Sequence, residues 1–218
     1  SINSKKRIKQ KNISYKYIFL LIKPDIFFKK TSHFKNFISQ DSKIISCMAG
    51  IKLITICNNL GHKNVIRIMP NVMAKQNKSQ TFVFAKNKKI LNRSFDKLIK
   101  SFGSVHYTSN EDQINIATSI FGSGPAFIAY LIKSYIEAAK NLSKKNQLKD
   151  IDLINLFHNV LSANQNSKDL DFFLNSIASK KGTTQAGVNF LKSQNINKII
   201  YTTLDRAYKR AKEIGIEK

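Results

Sequence analysis

Short apolar runs rich in β-branched and aromatic residues recur along the chain as far as Tyr107 and then stop, and this break constrains the fold more than any other feature. "YKYIFLLI" at 15–22 is ended by Lys23-Pro24, "KIISCMAGI" at 43–51 turns at Gly50, and "NVIRIMP" at 64–70 is stopped by Pro70. "SQTFVFA" at 79–85 and "SVHY" at 104–107 complete the set. Each is too short for a helix and apolar on successive positions, as strands buried on both faces are. Between them lie segments with apolar residues at helical spacing: "DIFFKKTSHFKNFIS", "LITICNNLG" and "KILNRSFDKLIKSFG". Strand and helix in alternation mean βα units and a mostly parallel sheet.

After Ser109 only helical patterns remain, separated by "FGSGP", "KKNQLKD", "NQNSKD", "SKKGTTQ" and "SQNIN". The segment "AFIAYLIKSYIEAAKNL" at 126–142 is apolar almost all round, which predicts burial on several sides. A small helical domain rarely buries one helix so fully, so intertwining with a second copy is expected. The chain therefore divides near residue 110. The expected parts are a basic, disordered segment at 1–14, a partial Rossmann-like domain at 15–109, and an all-α domain at 110–218.

The 218 residues include 37 Lys and Arg against 13 Asp and Glu, a formal charge of +24. Such a charge raises nucleic acid as a partner. Yet arginine is confined to Arg7, Arg67, Arg93, Arg206 and Arg210, and the lysines are scattered. Nucleic-acid sites favour arginine's planar fork and interleaved aromatics, so a solvated surface is the better reading. No apolar run suggests a membrane span, and Cys47 and Cys57 suggest neither a disulfide framework nor a metal site. A reducing, cytoplasmic setting follows as an expectation. His33, His62, His106 and His158 lack metal-ligand spacing, so no metal is expected. The first residue is Ser1 rather than methionine, which suggests a processed or truncated chain.

Two places carry candidate chemistry. In "IASKKGTTQAG" at 177–187, Gly182 can end one turn while Thr183 or Thr184 caps the next helix. The same amides and hydroxyls could instead hold a small anion at the helix start. Elsewhere, Lys23-Pro24, Met48-Ala49-Gly50 and Pro70-Asn71 end three consecutive strands. Ligands of open parallel sheets lie at the carboxyl ends of strands, so these turns could meet one dinucleotide. Equally, the prolines could only end strands and Gly50 only permit a tight turn.

Three segments and a two-part C-terminal signature, in this order, resemble the pyrroline-5-carboxylate reductase family. "LLIKPD" is similar to its strand ending in Val-Lys-Pro, "SCMAGI" to its Ser-Cys/Ala-Ala-Ala-Gly strand end, and "RIMPNVM" to its Arg-x-Met-Pro-Asn-Thr-Pro turn. "TSIFGSGPAF" at 118–127 and "SKKGTTQAG" at 179–187 resemble its C-terminal signature. The resemblance implies reduction of 1-pyrroline-5-carboxylate to L-proline by NADPH or NADH, and an all-α domain that dimerises. It implies that the amides of Gly182, Thr183 and Thr184, with the hydroxyls of Ser179 and Thr184, take the substrate carboxylate. It places Thr118 near the imine nitrogen, where its hydroxyl could position or protonate that atom. It implies cofactor contacts from Lys23, Pro24, Met48, Ala49, Gly50, Pro70 and Asn71, and a homodimer or higher homo-oligomer.

The chain departs from the family pattern as well. The family's Gly-x-Gly-x-x-Ala phosphate turn and the strands flanking it have no counterpart before residue 15, and the earliest glycine is Gly50. Lys180-Lys181 replace Pro-Gly, and Phe121, Val72 and Met73 replace a serine, a threonine and a proline. The expectation is therefore an N-terminally incomplete reductase. The alternative is a catalytically inactive remnant acting only as a helical dimerising protein.

Overall fold

The computed structural model describes residues 14–143, 148–164 and 166–215. All but the last residue of the 1–14 segment lie outside the described residues. The described chain forms two compact units, one running to Gly122 and resuming at Ala207, the other Ser123–Arg206.

In the first unit, β1 (Tyr17–Leu20), β2 (Lys43–Ser46), β3 (Val65–Met69), β4 (Ser79–Phe84) and β5 (Gly103–Thr108) form one sheet in the order β1-β2-β3-β4-β5. β1, β2 and β3 pair in parallel, β4 is antiparallel to β3, and β5 is parallel to β4. The sheet is thus mostly parallel as the alternation predicts, with one reversal that periodicity does not encode. Helices α1 (Pro24–Lys35), α2 (Leu53–Leu60) and α3 (Arg93–Lys100) connect the strands. Pro24 starts α1, where its missing N–H costs nothing. Gly61 closes α2 in the left-handed conformation with φ of 66°.

Neighbouring residues on a strand face opposite sides, and the two cores follow from that alternation. Ile44 and Val65 pack with Phe27 of α1 and with Leu53, Ile56 and Leu60 of α2. Ile45 and Ile66 pack on the other side with Val83 and with Phe95 and Ile99 of α3. A third cluster sets α4 (Asp112–Ala117) against the sheet: Ile114 and Ala117 meet Met69, with Phe82, Phe84 and Phe121 around them. The Phe121 ring stacks on Phe82 with centroids 5.1 Å apart. This cluster fixes the segment that carries Thr118.

The second unit is helical: α5 (Gly124–Ser143), α6 (Asp150–Ala163), α7 (Ser167–Ile177), α8 (Thr183–Ser193) and the first part of α9 (Ile196–Ile214). The expected burial of the 126–142 helix is not met within one chain. Among the described residues Gly124 is the only buried position of α5, while Tyr130 is 70% and Leu142 86% exposed. An apolar helix on a single small unit has too few neighbours to cover it. The helical stretch Asp112–Ser143 is also long and apolar enough, by length and composition alone, to cross a membrane. That corrects the expectation that no apolar run reaches such a length.

Candidate active site

Because β1, β2 and β3 are parallel, their carboxyl ends share one edge of the sheet. Lys23 and Pro24 follow β1, Met48, Ala49 and Gly50 follow β2, and Pro70 and Asn71 follow β3. The fold thus brings the three turns to one edge. Lys23 is the N-cap of α1 and provides no side-chain cap, so the first-turn amides of α1 stay open. Such amides beside a lysine suit an anionic group. Asn71 is engaged in its own turn: its side chain accepts from the Met73 amide, and its backbone N–H donates to Ser79 Oγ.

Gly50 has φ of +75°, and a Cβ placed on it would lie 2.4 Å from the Ala211 carbonyl oxygen and 2.5 Å from the Gly215 nitrogen. Only glycine lets the end of α9 approach the turn this closely. Beside it opens a cavity of about 1070 Å³ lined by Gly50, Lys52, Arg67, Glu111, Asn115 and Lys212, among others.

Arg67 is the residue that sequence reasoning passed over. It is 1% exposed in a strand buried throughout, and its Nη1 donates to Glu111 Oε1 at 2.7 Å. The same oxygen accepts from the Leu53 amide at 2.6 Å. Nε and Nη2 of Arg67 are buried and have no hydrogen-bond partner among the described residues. Burial holds the guanidinium below its ordinary value, and the Glu111 carboxylate acts in the opposite direction. The signal was present in the sequence as one charge within the apolar run "VIRIM", because a buried charge needs a partner.

Thr118 begins a π-helical turn, Thr118–Gly122, between α4 and α5. Its hydroxyl donates to the Ile114 carbonyl at 2.7 Å. A hydroxyl has one proton, so what Thr118 can still offer a ligand is the lone pairs of its oxygen.

The 179–184 loop belongs to the second unit. Gly182 is the N-cap of α8, and no side chain among the described residues caps that helix, so neither Thr183 nor Thr184 acts as the cap. The Gly182 N–H donates to the Ser179 carbonyl at 2.9 Å, closing a tight turn. A Cβ on Gly182 would lie 2.4 Å from Ser179 Oγ, so a larger residue there would displace the Ser179 side chain. Lys181 takes φ of 62°, and its amide donates to Gln185 Oε1 at 2.7 Å. The amides of Thr183 and Thr184 stand in the first turn, where a helix has no acceptor of its own.

Residues 111–214 match the family described as pyrroline-5-carboxylate reductase dimerisation. Over 204 residues the chain is 34% identical to the pyrroline-5-carboxylate reductase of Staphylococcus aureus, covering 91% of this chain and 74% of that protein. Its fold resembles the Streptococcus pyogenes 1-pyrroline-5-carboxylate reductase, with a TM-score of 0.73 and 26% identity over 90% of this chain and 76% of that one. It also resembles the Plasmodium falciparum pyrroline carboxylate reductase solved with NADP bound, with a TM-score of 0.78 and 23% identity over 92% of this chain and 77% of that one. The motif order along the chain, the parallel strand ends at one edge and the match to reductases over nine-tenths of its length agree, and the chain belongs to the pyrroline-5-carboxylate reductase family.

Proposed function

We propose that the protein is an NAD(P)H-dependent pyrroline-5-carboxylate reductase that forms L-proline from 1-pyrroline-5-carboxylate. Family membership supports the reaction, and one geometric observation carries the substrate assignment: α8 starts at Gly182 without a side-chain cap. The open amides of Thr183 and Thr184 suit a small carboxylate, with the helix dipole favouring its charge. The hydroxyls of Ser179 and Thr184 add donors, and Gly182 shapes the turn. Lys180 and Lys181 add positive charge to the same loop.

NADPH or NADH, when bound, supplies the hydride to the imine carbon. The chain's own residues hold and orient. Thr118 has its proton on the Ile114 carbonyl, so its oxygen accepts from the N–H of the protonated imine and fixes the ring. The turns of Lys23, Pro24, Met48, Ala49, Gly50, Pro70 and Asn71 form the dinucleotide edge. Residues 15–109 serve as the dinucleotide half and 110–218 as the substrate and dimerisation half.

The family matched over 111–214 is described by dimerisation, and the apolar side chains exposed on α5 support contact with a second copy rather than with a bilayer. The working assembly is then a cytoplasmic homodimer or higher homo-oligomer. The test is oxidation of NADPH or NADH by the full gene product on addition of 1-pyrroline-5-carboxylate, with L-proline identified as the product. If neither cofactor is oxidised above the protein-free rate, the reductase reading fails.

A further inference from the structure

We propose that Glu111 is a positioning residue, tying the turn after β2 to the helix that carries Thr118. This rests on the reductase reading, which places the dinucleotide at that turn and the imine at Thr118. A single carboxylate oxygen, Oε1, accepts from the Leu53 amide at 2.6 Å and from Arg67 Nη1 at 2.7 Å.

The three residues come from three separate parts of the chain. Leu53 begins α2, directly after the Met48-Ala49-Gly50 turn. Arg67 sits in β3, just ahead of Pro70 and Asn71. Glu111 is the N-cap of α4, and Thr118 follows two helical turns later. One oxygen therefore joins the start of α2 and the middle of β3 to the start of α4, the helix that leads into Thr118.

Among the described residues Glu111 is the side chain that bonds both groups, while the neighbouring Asp112 carboxylate acts on Arg67 only through its charge. Lys52, the N-cap of α2, provides no side-chain cap. Arg67 is 1% exposed, and among the described residues only its Nη1 has a hydrogen-bond acceptor, Glu111 Oε1. Glu111 is thus both the cap of α2 and the counter-charge of Arg67. Hydride transfer is sensitive to misplacement of its two sides by a fraction of an ångström, so a tie between those sides acts on turnover more than on binding. The substrate carboxylate is assigned to the 179–184 loop, which belongs to the second unit.

The experiment compares the full wild-type protein with Glu111→Gln, Glu111→Leu and the double variant Arg67→Met/Glu111→Leu. Glutamine keeps an acceptor oxygen, whereas leucine removes it. The double variant also removes the buried charge, so it can fold without leaving Arg67 unpaired. The expected result for the double variant is a kcat lower by about tenfold or more, with KM for 1-pyrroline-5-carboxylate within about threefold. Glu111→Gln recovers most of that kcat. Amide exchange at the start of α2 speeds up in both leucine variants and not in Glu111→Gln. If the double variant keeps kcat within about twofold, or if KM and kcat worsen together in every variant, the positioning role is wrong. Should the wild type show no activity, the reductase reading falls. Exchange then reports the tie by itself, and equal protection in all the proteins overturns it.

Discussion

The Tyr208 hydroxyl donates to Asp112 Oδ2 across 2.6 Å, although 96 residues separate them in the chain. This bond fastens the last turns of α9 to the start of α4, both within the first unit. It also holds the Asp112 carboxyl below its ordinary value, assisted by the Asn115 side chain and opposed by burial. A depressed carboxyl stabilises the fold at any pH above its unfolded value of 3.8, and the contribution disappears as pH falls through the folded value. Tyr208→Phe should cost about 1 kcal/mol at pH 7. The gap between wild type and variant should narrow as pH falls below the ordinary aspartate range. Urea melts at neutral and acid pH measure this, and a gap that stays constant would exclude the linkage.

Gly50 and Gly61 both take positive φ but differ in what surrounds them. A Cβ on Gly50 would meet the backbone of Ala211 and Gly215, while one on Gly61 would meet none of the described residues within 4 Å. Gly61→Ala should therefore cost only the left-handed conformation, about 1 kcal/mol. Gly50→Ala adds a backbone clash and should cost more than about 2 kcal/mol. Equal losses for the two variants in denaturant melts would show that α9 does not press on this turn.

Thr118 offers an oxygen acceptor and not a free proton, and this separates two substitutions. Thr118→Ser keeps the hydroxyl and should keep kcat within about threefold. Thr118→Val keeps the shape and removes the acceptor, and should lower kcat by about tenfold, the equivalent of one hydrogen bond. Steady-state kinetics on the two variants, with circular dichroism as a check on folding, decide the matter. A valine variant as active as wild type would remove Thr118 from the chemistry.

The two thiols should differ in reactivity. Burial pushes the Cys47 thiol up to about 12, leaving roughly one part in ten thousand as thiolate at pH 8. Cys57 is also raised, by burial first and by the Glu111 charge second. A disulfide reagent at pH 8 should label Cys57 ahead of Cys47 in the native protein and both alike in denaturant. Labelling in the reverse order would contradict the burial of Cys47.

The sequence by itself determined the strands, the connecting helices and the change to helix after Ser109. Strand cores and their Pro and Gly stops are local features, written in consecutive residues. The run at 64–70 became Val65–Met69 and that at 79–85 became Ser79–Phe84, because an apolar run and a following turn suffice to form a strand. The predicted helix at 89–103 begins only at Arg93, where the Asn92 side chain accepts from the Phe95 amide, a cap the apolar spacing did not locate. The motifs gave the candidate residues, and parallel pairing placed the three turns on one edge.

Only the tertiary structure decided the reversal of β4, the close approach of Gly215 to Gly50, the exposure of α5 and the pairing of Arg67 with Glu111. Each depends on groups far apart in the chain. Arg67 could be seen in the sequence as a charge in need of a partner, yet nothing local named Glu111, 44 residues away. The donor state of Thr118 was likewise decided by the helix it sits on, whose Ile114 carbonyl takes its proton. Periodicity records what a segment prefers to become, and the folded chain settles which distant charge, amide or carbonyl meets it.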